Sequence, residues 1–338
     1  MATLALGQTK PLLSSNEIST FNNDGFVGPF SGSISFSTID RIADRLERMI
    51  VSTAPHPLYG RFSVRDWHLV DEEILGVFGD PEIVGRLQSL LGEDLVLWRT
   101  KVFRKRPGEG PLGWHQEWGA FNGEEIGNDV PGLQPAPRSR DLSWNLTIWV
   151  ALEDITDDMG PIYFARGTHQ KRFPIRMAPL NESEFWHDPF LGITDPKVLV
   201  QRARDCSLVL DIDTSRVFDG VDVTTLTMDN AKAQLLSSLS GQMGAVTLDF
   251  DPNTEDIVRV PMRKGQFVIF SERTLHGSPA NVSEKRRLAI NGRVTCADTI
   301  VYPGRLSGNF IDGSNLDIRR HRCVLLSGQD RQKLNVYS

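Results

Sequence analysis

The chain has 338 residues, 40% hydrophobic and 24% charged, with 37 Lys and Arg against 43 Asp and Glu for a formal charge of −6. That composition supports a packed core and excludes wholesale disorder, and the acidic balance argues against a generic nucleic-acid surface while leaving room for a local basic groove. Cys206, Cys296 and Cys323 are far apart and odd in number, so no CxxC pair or disulfide framework is readable and a reducing, cytoplasmic setting is expected. Residues 1–13 lack the basic start and apolar stretch of a signal peptide, and no apolar run approaches the ~18 residues needed to cross a bilayer.

The first third reads as helical. Ser37, Thr38, Ile39 and Asp40 resemble a capping box, after which Ile39, Ile42, Leu46, Met49 and Ile50 recur at helical spacing. Asp80 and Pro81 open a second helix, Ile83, Val84, Leu87, Leu90 and Leu91 form its stripe, and Gly92 closes it. Both stripes are read as packing surfaces.

From residue 95 the texture changes to short β runs. Residues 95–103 are apolar and β-compatible until a Pro- and Gly-rich stretch, 106–113, breaks them. In the run 145–152, Leu146, Ile148, Val150 and Leu152 share one face, and Asn145, Thr147, Trp149 and Ala151 the other. Residues 266–270 and 288–294 read as two later strands around a polar turn. Residues 122–141 and 177–255 look like insertions, the second with a helix at 229–239, and long insertions in compact domains are usually lids or binding loops. There is no βαβ rhythm and no GxGxxG, which disfavours a dinucleotide-binding fold. The expected fold is mainly β with flanking helices, with an antiparallel or jelly-roll core.

His115 and Glu117, two apart in an extended segment, point the same way and are candidates for a shared metal ion. One His-x-acid pair is no more than seven His and 43 acidic residues produce by chance, so the spacing alone decides nothing. His276, just after the strand 266–270, is the candidate third ligand of a two-His-one-carboxylate face that leaves coordination positions open.

Residues 276–293 read HGSPANVSEKRRLAINGR, and this segment resembles the phytanoyl-CoA dioxygenase superfamily of iron(II)/2-oxoglutarate-dependent oxygenases. In that family the distal histidine begins an HGS turn and an arginine follows eleven residues later, the position of Arg287. Three further segments carry the resemblance. Phe21 to Val27 (FNNDGFV) is similar to an N-terminal signature, Trp149 to Asp154 (WVALED) to a strand whose tryptophan lies near the cosubstrate, and Gly160 to His169 (GPIYFARGTH) to a G-x-L-x-x-x-P-G-S-H segment. Arg166 and Thr168 are departures in the last, and by analogy His169 is structural rather than a ligand.

The resemblance implies a double-stranded β-helix (cupin-like) core in a single oxygenase domain. Residues 1–94 are expected to give helical support, about 95–176 and 256–300 the core, and about 177–255 a cap. It implies Fe(II) on His115, Glu117 and His276, with Arg287 and Ser278 holding the far carboxylate of 2-oxoglutarate, a task suited to a planar bidentate donor. Strand alternation turns the neighbouring Arg286 the other way. Most of the family has aspartate at the Glu117 position. Glutamate serves in the related clavaminate synthase group, so metal binding stands with its geometry open, and a retained carboxylate argues against a halogenase.

Two registers remain open for Trp98, Arg99, Thr100 and Lys101. Aligning Phe103 with a family aromatic turns Trp98 and Thr100 inward, which adds Thr100 to the cosubstrate candidates beside Trp149. A slip of one residue instead lines the cavity with Arg99 and Lys101 and favours an acidic substrate. The run Arg104, Lys105, Arg106 is read as a solvated loop.

The implied reaction uses O2 to decarboxylate 2-oxoglutarate and oxidise a C–H bond of a small organic molecule, such as a secondary metabolite or amino acid derivative. Hydroxylation is the default outcome, with desaturation, cyclisation or epoxidation open. Neither a nucleic-acid nor a membrane partner is expected. Two other readings are a redox-silent metal-dependent lyase or epimerase on the same barrel and a degenerate non-catalytic binding protein; Arg287 and the intact ligand set count against both.

Overall fold

The computed structural model describes residues 11–338 apart from 53, 61–62, 118–131, 138–143, 174, 179–189, 191, 206–213, 215–216, 241–244, 249 and 309–317. The helices are α1 (Ser15–Asp24), α2 (Phe36–Ser52), α3 (Glu72–Phe78), α4 (Pro81–Leu91), α5 (Pro196–Asp205) and α6 (Met228–Ser240). The strands run β1 (Phe26–Ser31), β2 (Leu95–Lys105), β3 (Leu112–His115), β4 (Leu133–Gln134), β5 (Asn145–Ala151), β6 (Ile162–Ala165) and β7 (Ile175–Ala178). They continue with β8 (Ala245–Leu248), β9 (Ile257–Val260), β10 (Gln266–Ser271), β11 (His276–Ser278), β12 (Arg287–Cys296), β13 (Ile300–Val301) and β14 (Val324–Ser327).

Two antiparallel sheets make the core of this cupin-like fold, one ordered β1-β10-β5-β12-β2-β14 and the other β3-β11-β6-β9. Alternation along β5 explains how the larger sheet serves two cores. Leu146, Ile148, Val150 and Leu152 join Val84 and Leu87 of α4 and Ile42 and Leu46 of α2 in a buried cluster on its outer face. Trp149 and Ala151 join Phe164 of β6, Val260 of β9 and Phe270 of β10 in a second cluster between the sheets. The helices sit close: at Gly292 on β12 a Cβ would lie 2.5 Å from the Phe78 ring, so only glycine lets α3 dock there.

The caps show where local signals act. Asp80 accepts the backbone N–H of Glu82 at 2.9 Å, with Pro81 at the first position of α4. The capping box lies at α1, a helix the sequence reading did not anticipate, where Ser14 and Glu17 exchange bonds. α2 begins at Phe36, ahead of the expected Ser37 cap, and the Ser35 hydroxyl accepts from Thr38 N at 3.2 Å.

The boundaries differ from the expected ones in two places. β1, inside the supposed helical support, pairs with β10 at one edge of the large sheet, and β14, beyond residue 300, pairs with β2 at the other. Both are edge strands; β1 is interrupted by Pro29, which is tolerated there because an edge leaves some N–H groups unpaired. In the second insertion α6 spans nearly the expected helix, β7 pairs with β8, and Leu199, Ala203, Phe218, Ala231 and Leu235 form a separate buried cluster. Most of 122–141 falls outside the described residues. No helix among the described residues is long and apolar enough to cross a membrane.

Candidate active site

His115 ends β3 and His276 opens β11, and the antiparallel register sets them directly opposite each other. Their imidazole centroids are 4.2 Å apart. Gly277 permits this approach, because a Cβ there would stand 2.6 Å from the Leu112 carbonyl and 2.9 Å from that of Gly113. His115 Nδ1 lies 2.9 Å from the Gly113 carbonyl and His276 Nδ1 2.8 Å from that of Thr274. A carbonyl only accepts, so Nδ1 carries the proton in each ring and Nε2 keeps its lone pair for a metal. Burial, with His115 adjacent, pushes His276 down to about 3. Burial also lowers His115, over the opposing pull of Glu117. Both rings are therefore neutral near pH 7, as metal ligands must be.

Glu117 shares the face of His115, while Gln116 between them turns away. Its amide donates to the Arg273 carbonyl at 2.9 Å and accepts from Phe173 N at 2.8 Å. Burial pushes the Glu117 carboxyl up, but the field and hydrogen bond of Arg293 on β12 outweigh that and hold it below the usual carboxylate range. Arg293 donates to Glu117 Oε1, and Oε2 is buried without a hydrogen-bond partner. Among the described residues no three His, Cys, Asp or Glu side chains are grouped closely enough to hold a metal ion; the His115 and His276 rings face each other, and the Glu117 carboxylate is paired with Arg293. The donor types present, two neutral imidazoles and a carboxylate with one unpartnered oxygen, are nevertheless those that suit a non-haem iron(II) ion.

A second polar group lies further along the interior. Arg287 opens β12, is 4% exposed, and donates to the Gly160 carbonyl at 2.7 Å, with its guanidinium 5.5 Å from the Trp149 ring centroid. Its Nε is buried and unpartnered. Lys105, at the end of β2 and 3% exposed, donates to Ser278 Oγ at 2.8 Å and to the Pro279 carbonyl at 2.6 Å. Burial, with Arg287 alongside, lowers Lys105 to about 7, and burial lowers Arg287 to about 10. Among the described residues no carboxylate forms an ion pair with either; Glu109, whose field reaches both, is paired to Arg106 at 3.5 Å. Arg287, Lys105 and the Ser278 hydroxyl thus form a buried cluster of hydrogen-bond donors with the chemistry to receive an anion. Arg286 points to the other face, on Glu153 at 2.7 Å and Glu47 at 3.2 Å.

Thr100 is a correction. Its Oγ1 lies 2.9 Å from His68 Nδ1 and its backbone bonds Asp66, so it faces away from the interior. The cause is a one-residue bulge: Arg293 pairs with Arg99 but Val294 pairs with Leu97. Trp98 is the extra residue and stays inside, its Nε1 donating to Asn145 Oδ1 at 2.9 Å. Beyond the bulge Arg99, Lys101, Phe103 and Lys105 take the interior face. Neither register considered from sequence was complete, and Lys105 is buried at the end of β2 rather than lying in a solvated loop. His169 Nε2 is 3.1 Å from the Asn22 carbonyl, tied to α1. Lys105 and Arg293 were both missed. The available signal was parity, with Lys105 two residues after Phe103 and Arg293 six after Arg287.

Comparison with known proteins bears on the fold and the lineage. The family model "Phytanoyl-CoA dioxygenase (PhyH)" matches residues 21–289. Ectoine dioxygenase of Streptomyces coelicolor is 24% identical over 171 residues, covering 47% of this chain and 52% of that protein; the chain thus spans about half the length of this curated relative. Among solved structures, CytC3 with Fe(II) and alpha-ketoglutarate superposes with a TM-score of 0.62 at 18% identity, over 98% of this chain and 94% of that one. The alpha-ketoglutarate-dependent epimerase SnoN from nogalamycin biosynthesis gives 0.52 at 16% identity, over 92% and 97%. These structural likenesses establish the shared fold, and the family model, matching most of the chain, establishes the lineage: the protein belongs to the phytanoyl-CoA dioxygenase (PhyH) family.

Proposed function

We propose that the protein is a non-haem iron(II), 2-oxoglutarate-dependent dioxygenase that oxidises a small organic molecule, with hydroxylation of a C–H bond as its ordinary outcome. The observation that carries this reading is the pairing of two stations on one interior. Neutral imidazoles of His115 and His276 beside the Glu117 carboxylate form one, and Arg287, Lys105 and Ser278 form an anion seat at the other. A dicarboxylate cosubstrate that chelates a metal at one end and presents a carboxylate at the other matches both.

When bound, iron(II) and 2-oxoglutarate supply the oxygen chemistry: O2 is consumed, 2-oxoglutarate leaves as succinate and CO2, and one oxygen atom goes to the substrate. The chain's own contribution is placement. The Gly113 and Thr274 carbonyls fix the ring orientation of His115 and His276. Arg287 and Lys105 neutralise the distal carboxylate, and Trp149 lies against Arg287 as the wall of that seat. Phe270, 4.7 Å from the His276 ring, and Phe164 line the site with apolar surface that excludes water. The segment 177–255 is assigned as the substrate-selecting cap, which fits a structure with its own small core.

The test is oxygen-dependent succinate release from protein loaded with Fe(II) and 2-oxoglutarate, screened against secondary metabolites and amino acid derivatives. Stimulated release that is lost in His276→Ala supports the reading. Substrate conversion under strict anaerobiosis moves it to a redox-silent lyase or epimerase. Replacing 177–255 should abolish substrate turnover and spare cosubstrate binding.

A further inference from the structure

We infer that Arg293 is the positioning residue of the metal's carboxylate corner: it holds Oε1 of Glu117 and so presents Oε2, alone, to the metal. The inference rests on the metal site proposed above. Each of the three candidate ligands has one atom tied down and one left open. His115 is tied through Nδ1 to the Gly113 carbonyl at 2.9 Å, and His276 through Nδ1 to the Thr274 carbonyl at 2.8 Å. Those anchors lie two residues away on the same chain segment and come with the local backbone. Glu117 is tied instead by a side chain from the opposite sheet, Arg293 Nη2 on Oε1, and its Oε2 is buried with no partner.

The chemistry of glutamate makes this third anchor necessary. Glutamate has one more rotatable bond than aspartate and loses correspondingly more freedom on being fixed, and without an anchor either oxygen, or both, is available to a metal. A guanidinium on one oxygen removes that ambiguity and favours one-oxygen ligation, which preserves the open positions a chelating cosubstrate and O2 require. Arg293 is well placed for the task. It lies on β12, hydrogen-bonded between β2 and β5, beside the bulge at Trp98, and its side chain is only 12% exposed. A purely structural ion pair joining the two sheets would show the same contact but would be indifferent to the metal.

The experiment uses the full chain and Co(II) as the probe, read by its d–d absorption and by titration, so that turnover is not involved. Arg293→Met is expected to weaken Co(II) binding by roughly 10- to 100-fold and to shift the band pattern as the carboxylate changes its mode of ligation. Arg293→Lys, which keeps the charge but not the planar donor, is expected to be intermediate. Glu117→Asp withdraws the carboxylate from Arg293, so its effect and that of Arg293→Met should be non-additive in the double variant. If Arg293→Met fails to unfold cooperatively, Arg293→Lys carries the same spectral test. Co(II) affinity and spectrum unchanged in the Arg293 variants overturn the inference alone. Failure of the unaltered protein to bind Co(II) overturns the metal site and the inference together.

Discussion

Lys105→Met separates binding from stability. Lys105 is 3% exposed and its ammonium donates to Ser278 Oγ at 2.8 Å and the Pro279 carbonyl at 2.6 Å. Burial, with Arg287 adjacent, moves it from 10.5 to about 7. In the unfolded chain the lysine titrates near its ordinary 10.5, so between about 7 and 10.5 the unfolded state holds a proton that the folded state has released. Stability from this group therefore rises with pH across that window and is flat below it. The charged form costs the fold on the order of a few kcal/mol at pH 6. Methionine is of similar length and uncharged, so the variant should be at least as stable as the parent at pH 6 and should lack the alkaline rise. Its affinity for 2-oxoglutarate should move the opposite way. Losing one charge-assisted bond costs about 1.5–3 kcal/mol, or roughly 10- to 150-fold in Kd. Urea unfolding at pH 6 and pH 9, with calorimetric titration of 2-oxoglutarate into Mn(II)-loaded protein, measures both. The parent should also bind 2-oxoglutarate more weakly as pH rises above about 7, and the variant should not. A variant that binds as tightly as the parent and is less stable at pH 6 would refute the assignment of Lys105 to the anion seat.

Two further substitutions test the architecture around the site. Thr100→Val removes the hydroxyl beside His68 and should cost about 1–2 kcal/mol in urea unfolding while leaving 2-oxoglutarate affinity unchanged; a large loss of cosubstrate binding would return Thr100 to the interior. Gly277→Ala drives a methyl to 2.6 Å from the Leu112 carbonyl and should separate β11 from β3. Its expected signature is Co(II) affinity falling by at least tenfold, about 1.4 kcal/mol, and intact binding would show that the His115–His276 spacing tolerates more than the register suggests.

The sequence carried the central strands clearly because they bury different residues on two faces. The alternation of Asn145, Thr147, Trp149 against Leu146, Ile148, Val150 is the division between the interior and the helix-packed face. It also carried His115, Glu117, His276, Ser278 and Arg287 as candidates, through the resemblance of the segment 276–293 to a known family rather than through the His-x-Glu spacing alone. Edge strands were hidden, since β1 has a proline and no periodic pattern. The β2 register was hidden for a different reason: a bulge inserts a single residue with no compositional mark, and one residue reverses every side chain beyond it. That reversal is why Thr100 was misplaced and Lys105 overlooked. Arg293 was missed because its partner lies 176 positions away in the chain, a contact made by the closing of two sheets rather than by any local pattern.

The most direct measurement is an anaerobic absorption titration, adding Fe(II) and then 2-oxoglutarate to the purified protein with His115→Ala as the control. A weak visible charge-transfer band that requires protein, Fe(II) and 2-oxoglutarate together, and is absent from the variant, is the predicted result. Iron that binds without producing the band would contradict chelation of 2-oxoglutarate at this site, and no iron binding at all would contradict the assignment of His115, Glu117 and His276 as ligands.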